Sequence, residues 1–235
     1  MIEEVKRKGE DWMLESYFTI AQDGQEEIII RGSRFICSLK RVENEESAKE
    51  FISEIKKEHW KANHSCSAYL IGDQDEIQRA HDDGEPSGTA GVPMLEVLKK
   101  NHLHYVVAVV TRYFGGIKLG AGGLIRAYSK SVSTALQGVG IIRCSLQTPV
   151  SSTVGYSSSG LLENYLHQSG YDLLDTQYTD TVTFTTSVPV AEVDIFQDKV
   201  VDLMSGNVTF HLEKNQYREL PVSIEMEDDW DDVDE

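Results

Sequence analysis

The period of the apolar positions along this chain shifts between two and three-to-four, which predicts alternating strands and helices. After a polar lead over residues 1–16, Glu27 to Leu39 reads as strand material with a break at Gly32-Ser33. Ala48, Phe51, Ile52 and Ile55 recur at helical spacing, in a helix that ends near His59. Cys66 to Ile71 and Glu76 to His81 predict two short strands around the polar Gly72-Asp73-Gln74-Asp75 turn. Pro93, a favoured first-turn residue, marks the start of a helix that buries Met94, Leu95, Val97 and Leu98. Tyr105 to Val110 is a valine-rich run suited to a central strand covered on both faces. Leu124, Ile125, Tyr128, Val132, Ala135 and Leu136 then form one helical stripe, stopped by Gly138 and Gly140. Together these elements predict a two-layer α/β domain over residues 17–147.

Beyond Thr148 the pattern changes. A strand (Val150 to Tyr156) leads to a helix through Leu161, Leu162, Tyr165 and Leu166, ended by Gly170. Two alternating strands flank Tyr178-Thr179-Asp180-Thr181, a helix runs through Val193, Phe196, Val200 and Leu203, and Val208 to Tyr217 closes the unit. This βαββαβ order is ferredoxin-like and is expected over residues 148–222. The junction is expected near Gln147-Thr148-Pro149. The fold class is therefore α+β with two domains, a division that 235 residues allow.

Composition adds little until charge is considered. A 40% hydrophobic, 26% charged chain is an ordinary soluble globular composition. No apolar run approaches the roughly 18 residues that a membrane span needs. The charged N-terminus has no apolar core behind it and does not read as a signal peptide. Cys37, Cys66 and Cys144 have neither disulfide-framework nor zinc spacing, which fits reduced buried thiols in the cytoplasm. No cofactor or metal is expected.

The net charge is −17, yet the 47 residues from Val97 to Arg143 contain no Asp or Glu. Lys99, Lys100, Arg112, Lys118, Arg126, Lys130 and Arg143 make that window +7, against −24 for everything else. A mean field this acidic repels polyanions, so a segment kept free of carboxylates points to a local anionic partner. Eight of the last eleven residues, from Glu225, are acidic. Residues 223–235 are expected to be a disordered solubility tail, too repulsive to pack; the alternative is a tethered competitor for the basic window.

Within that window lies Arg112-Tyr113-Phe114-Gly115-Gly116-Ile117-Lys118-Leu119-Gly120-Ala121-Gly122-Gly123. A helix starting near Gly122 has unpaired N–H groups at its first turn, and glycines let a ligand approach the backbone. With Lys118, Arg126 and Lys130 nearby, a phosphate contact and a purely architectural crossover are equal readings. The candidate ligand-binding residues are Arg112, Tyr113, Gly115, Gly116, Lys118, Gly120, Gly122, Gly123, Arg126 and Lys130. Ile125 occupies the third-glycine position of a dinucleotide fingerprint, and no Gly-Lys-Ser/Thr follows for a P-loop. Arg112 beside two aromatics suits base stacking and phosphate binding on a single strand. Strand alternation instead places Tyr113 or Phe114 in the core and pairs Arg112 with Asp82 or Asp83.

A secondary candidate site gathers His64, Asp82, Asp83, Glu85, Ser87 and Thr89. Three carboxylates with a histidine suit acid/base work or a divalent cation. The spacing matches no known metal or glycosidase pattern, and Gly84, Pro86 and Gly88 read as turn chemistry with Ser87 or Thr89 capping the next helix. His64 and Cys66 share one side of a strand; His102 and His104 read as solvated loop residues. Ser87 lies outside any Gly-x-Ser-x-Gly elbow. The serine-rich run from Ser151 to Ser159 reads as a strand edge and helix cap.

Asp82-Asp83-Gly84-Glu85-Pro86-Ser87-Gly88-Thr89-Ala90-Gly91 followed by Arg112-Tyr113-Phe114-Gly115-Gly116-Ile117-Lys118-Leu119-Gly120 resembles the IMPACT/YigZ family. His64-Ser65-Cys66-Ser67-Ala68-Tyr69 and Ser33-Arg34-Phe35 match its pattern too, so the resemblance is dense over residues 17–138. It implies a first domain like the second domain of ribosomal protein S5, akin to domain IV of elongation factor G, and a second domain like that factor's domain V. It also implies a link to translation, since eukaryotic members are tied to translational control under amino-acid stress. The leading expectation is a noncatalytic binding protein, translation-associated, contacting RNA or a ribosome-linked partner through the basic Gly-rich face. The alternatives are a small hydrolase or phosphate-ester enzyme using Asp82, Asp83, Glu85 and His64, and a pure protein-interaction adaptor.

Overall fold

A computed structural model describes residues 14–222. The acidic residues 223–235 and most of the polar lead lie outside the described residues. The described residues divide into two compact units, Tyr17–Arg143 with residues 220–222, and Cys144–Glu219 with residues 14–16.

The first unit runs β1 (Ser16–Ile20), β2 (Gly24–Ile30), β3 (Ser33–Arg41), α1 (Glu45–Glu58), β4 (His64–Ile71), β5 (Ile77–His81), α2 (Gly91–Lys100), β6 (Val106–Tyr113) and α3 (Gly120–Val139). Five of its strands form an antiparallel sheet in the order β2-β3-β6-β4-β5. Arg31 (φ 46°) and Gly32 (φ 78°) both adopt the left-handed conformation that a two-residue hairpin turn requires between β2 and β3.

Strand alternation divides the valines of β6 between two cores. Val106, Ala108 and Val110 pack with Phe35, Cys66, Met94, Leu98, Tyr128 and Leu136 under α2 and α3. Val107 and Val109 face the other way, with Tyr69, Ala48 and Ile55 under α1. The two layers expected from sequence are the sheet with α2 and α3; α1 adds a third layer on the opposite face. Asn44 and Ser47 start α1 with a reciprocal capping box.

The second unit contains β7 (Ile141–Val154, in this unit from Cys144), α4 (Tyr156–Ser169), β8 (Asp172–Tyr178), β9 (Val182–Pro189), α5 (Val193–Leu203), β10 (Thr209–Leu212) and β11 (Gln216–Pro221). The order β10-β7-β9-β8 is antiparallel throughout, with β9 inserted between the two strands that α4 connects. This is the ferredoxin-like split βαβ. Val150, Val154, Phe184 and Val188 meet Leu162, Leu166, Phe196 and Val200 from the helices. Ser151 with Thr185 (3.0 Å) and Thr153 with Thr183 (2.8 Å) form cross-strand hydroxyl pairs between β7 and β9.

Three details differ from the sequence reading. Gln147, Thr148 and Pro149, the expected neighbourhood of the junction, lie inside β7, and the units divide at Arg143. Tyr156 starts α4 instead of ending a strand. The closing strand is broken after Leu212, where the Glu213 N–H reaches the Pro149 carbonyl (3.0 Å) and Asn215 accepts from Thr148 Oγ1 (2.9 Å).

Candidate functional site

The carboxylate loop between β5 and α2 is committed to structural contacts. Asp82 accepts three backbone N–H bonds: Gly91 (2.9 Å) and Ala90 (3.1 Å) on Oδ1, and Gly88 (2.8 Å) on Oδ2. It thus caps α2 from outside the helix, the role expected of Ser87 or Thr89. The Thr89 hydroxyl instead donates to the Pro86 carbonyl (2.6 Å). Burial by itself raises the Asp82 pKa, but the three amide donors outweigh it and hold the carboxyl below its ordinary value.

The direction of that shift sets a pH dependence. A depressed folded pKa contributes stability that is complete above the ordinary value of 3.8 and is lost as pH falls through the folded value. Asp82→Ala should cost about 1–2 kcal/mol at neutral pH, and less in acid. Urea midpoints for both proteins, measured from neutral pH into the acid limb, should converge; an offset unchanged by pH would remove this account of the cap.

Asp83 pairs with Lys56 Nζ (2.6 Å) and accepts the Ser65 N–H (2.7 Å), while its carbonyl meets His64 Nδ1 (2.9 Å). Glu85 is buried, and its Oε1 accepts from Arg112 Nη1 (2.7 Å) and the Tyr128 hydroxyl (2.8 Å). His64 Nε2 stands 3.9 Å from Glu85 Oε2. Arg112 therefore pairs with Glu85, not with Asp82 or Asp83, because Asp82 is occupied by α2 and Asp83 by Lys56. The Cys66 thiol donates to the Asp82 carbonyl (2.9 Å) and Tyr128 Oη (3.4 Å), and burial pushes its pKa up to about 12. Burial likewise raises Tyr128, so neither group ionises near neutrality. Among the described residues no cluster of His, Cys, Asp and Glu is arranged to hold a metal ion. Ser87 is exposed.

The Gly-rich connection from β6 to α3 divides into a packed part and an open part. Gly115 lies against the β2–β3 turn: a Cβ there would stand 1.9 Å from the Gly32 carbonyl carbon and 2.3 Å from Ser33 N. Its N–H donates to Ser33 Oγ (3.1 Å), and the Phe114 N–H donates to Asn63 Oδ1 (2.8 Å). Gly116 (φ +91°) and Gly120 (φ +71°) have the left-handed backbone that favours glycine. Gly123 has Leu119 Cβ 3.0 Å from its own Cβ position. Gly122 has neither constraint, and the space a side chain would fill is empty.

α3 starts at Gly120 with no side-chain cap and no acid in its first turn. Arg126 and Lys130 follow at the i,i+4 spacing on the exposed side, and Lys118 is exposed just before the helix. Among the described residues no carboxylate pairs with these three. Lys99, by contrast, pairs with Glu96 (3.3 Å), and Arg112 is 5% exposed and neutralised by Glu85. The outward positive field of the window is accordingly smaller than its formal charge.

The aromatic expectation needs correction. Neither Tyr113 nor Phe114 is core: β6 ends at Tyr113, which is half-buried with its hydroxyl on His59 Nδ1 (3.0 Å), and Phe114 beyond it is 46% exposed. Phe35 on β3 fills the core position. His104 is not solvated. It is buried, its N–H donates to the Phe18 carbonyl (2.8 Å), and Nδ1 lies 3.0 Å from Asp75 Oδ1. Burial would lower its pKa, but the Asp75 carboxylate turns the net shift upward. His102 is exposed. Sequence reasoning missed Asn63, Ser33 and the Tyr128 hydroxyl as parts of this site. Ser33 and Gly115 lie 82 positions apart, and no local pattern announces that pairing.

Fold and site together define a two-domain α+β protein with an open, basic, Gly-rich strand-to-helix connection on its first domain. Residues 31–136 match the Impact N-terminal domain, and residues 153–207 match a domain of unknown function, DUF1949. IMPACT family member YvyE of Bacillus subtilis is 54% identical over 194 residues, covering 83% of this chain and 89% of the relative. IMPACT family member YigZ of Escherichia coli is 36% identical over 181 residues, covering 76% and 89%. A crystal structure described only as that of a hypothetical protein aligns with TM-score 0.55 and 33% identity over 86% of this chain and 99% of the other. This chain belongs to the IMPACT family.

Proposed function

We propose that this is a noncatalytic binding protein of the translation machinery that grips RNA phosphates at the start of α3. The observation that carries the reading is the open first turn of that helix. Among the described residues its amides have no side-chain cap and the flanking Lys118 and Arg126 have no carboxylate partner, and Gly122 leaves the amides accessible with no packing or backbone reason for a glycine. Helix N-termini with free amides favour anions, and adjacent bases add a sequence-independent attraction. The setting in translation rests on what membership of the IMPACT family implies, a first domain like the second domain of ribosomal protein S5 and a link to translational control. Three buried free cysteines support a cytoplasmic location. Among the described residues no helix is long and apolar enough to cross a membrane. The carboxylates on which a hydrolase would rely are engaged by backbone amides, Lys56 and Arg112, and no observation favours that reading.

Salt dependence tests the proposal. For a single strand the log–log slope is about −0.7 per phosphate neutralised, so two to three contacts give roughly −1.5 to −2. Lys118→Ala with Arg126→Ala should weaken binding of a labelled single-stranded RNA and flatten the slope by about one unit, read by anisotropy across a salt series. Capture of a protein partner that survives nuclease, together with no effect of the two substitutions, would replace this reading with the adaptor.

A further inference from the structure

Phe114 is 46% exposed, directly beyond the end of β6, but it is held in place. Its N–H is fixed by Asn63 (2.8 Å), and the next N–H by Ser33 (3.1 Å). The Arg112 guanidinium lies 5.5 Å from the Phe114 ring centroid and 5.3 Å from that of Phe35. Arg112 is itself anchored by Glu85 (2.7 Å) and 5% exposed. The exposed ring therefore rests on a buried cation, which occupies one face of the ring and leaves the other for solvent. The next two residues are glycines, and at Gly116 the space a Cβ would take is empty, so no side chain there rises over the ring. The two amide bonds fix the main chain beneath the ring and the guanidinium backs one face of the ring itself, which lowers the ordering cost of a contact on the other face.

We infer that Phe114 is a stacking platform for an unpaired base, so that the site takes single-stranded rather than duplex RNA. The inference rests on the phosphate-gripping role proposed above and names its ligand class. Charge complementarity favours nucleic acid over an apolar protein surface: Lys118 follows the ring by four positions, and Arg126 lies on the exposed side of the helix that follows. A duplex shows phosphates to such a surface but hides its base faces, whereas a single strand offers both.

The test uses the full chain and three labelled probes: an oligouridylate, an abasic ribose-phosphate oligomer of equal length, and a blunt RNA duplex. Stacking of one base should make the wild-type protein bind the oligouridylate about 5- to 150-fold tighter than the abasic oligomer. Phe114→Leu keeps an apolar cover over Arg112 but has no π face. It should erase that ratio while leaving abasic affinity and salt slope unchanged; Phe114→Tyr should retain the ratio. Equal wild-type affinity for the oligouridylate and the abasic oligomer, or a ratio that survives Phe114→Leu, overturns the inference and leaves the phosphate grip standing, with the ring then free to serve a protein partner. Failure of all three probes to bind the wild type overturns the phosphate grip itself.

Discussion

Gly115→Ala is expected to destabilise the protein by about 3 kcal/mol, the upper end for forced overpacking. The new methyl would meet the Gly32 carbonyl carbon at 1.9 Å, its oxygen at 2.0 Å and Ser33 N at 2.3 Å, all backbone atoms that no rotamer change can move. Relief requires separating the loop from the β2–β3 turn. That separation breaks the Gly115 N–H bond to Ser33 Oγ, a hydroxyl that also lies 3.5 Å from Arg112 Nη2. The glycine seven residues later should respond in the opposite sense. Gly122→Ala meets no atom within 4 Å and lies in a helix, so it should stabilise by about 0.5–1 kcal/mol through backbone entropy. If the open turn is a binding surface, the same methyl weakens RNA binding while it strengthens the fold. Urea midpoints together with anisotropy on both variants read all of these signs; Gly115→Ala with wild-type stability would mean that the close backbone approach is not maintained in solution.

Removing one partner of the Glu85–Arg112 pair should cost about 3–5 kcal/mol, since the other charge is left buried without compensation. Both side chains are under a tenth exposed, and Nη1 to Oε1 is 2.7 Å. Glu85→Gln strands the guanidinium and weakens the bond from Tyr128. Arg112→Met keeps the length of the side chain but leaves the carboxylate with Tyr128 as its short-range donor and removes the cation beneath Phe114. The double variant should recover a large part of the loss, because two neutral side chains carry no desolvation penalty for charge. A double-mutant cycle on denaturant unfolding measures the coupling. Additive losses would show that each side chain acts alone, by packing rather than as an ion pair. RNA binding supplies the functional readout: phosphate binding at α3 should survive in whatever fraction of Arg112→Met remains folded, since Arg112 is not one of the exposed cations.

Much of the architecture was legible because its causes are local. The valines of β6, read as a central strand covered on both faces, alternate between two cores, and the break read at Gly32-Ser33 falls at the hairpin turn, which Arg31 and Gly32 form. Of the helix stripe, Leu124, Tyr128, Val132, Ala135 and Leu136 lie in the core as their period requires, while Ile125 is exposed. Where an element reads differently, a distant group intervenes. The last strand breaks where Glu213 and Asn215 bond to residues of β7, and His104 is buried by Phe18 and Asp75, which precede it by many positions.

The candidate site shows the same division. Its location, basic character and glycine content are properties of a dozen consecutive residues, and the amino-acid sequence by itself determined them. The sequence offered Asp82 or Asp83 as the partner of Arg112, and the tertiary structure gave it Glu85 instead by assigning Asp82 to the amides of α2 and Asp83 to Lys56. It also separated the glycines, setting Gly115 against the β2–β3 turn, with its hydrogen-bond partner Ser33 82 positions away, and leaving Gly122 open. Periodicity and propensity act between residues a few positions apart along the chain. Neutralisation, close backbone approach and the exposure of Phe114 act through space between segments that only the folded sheet brings together.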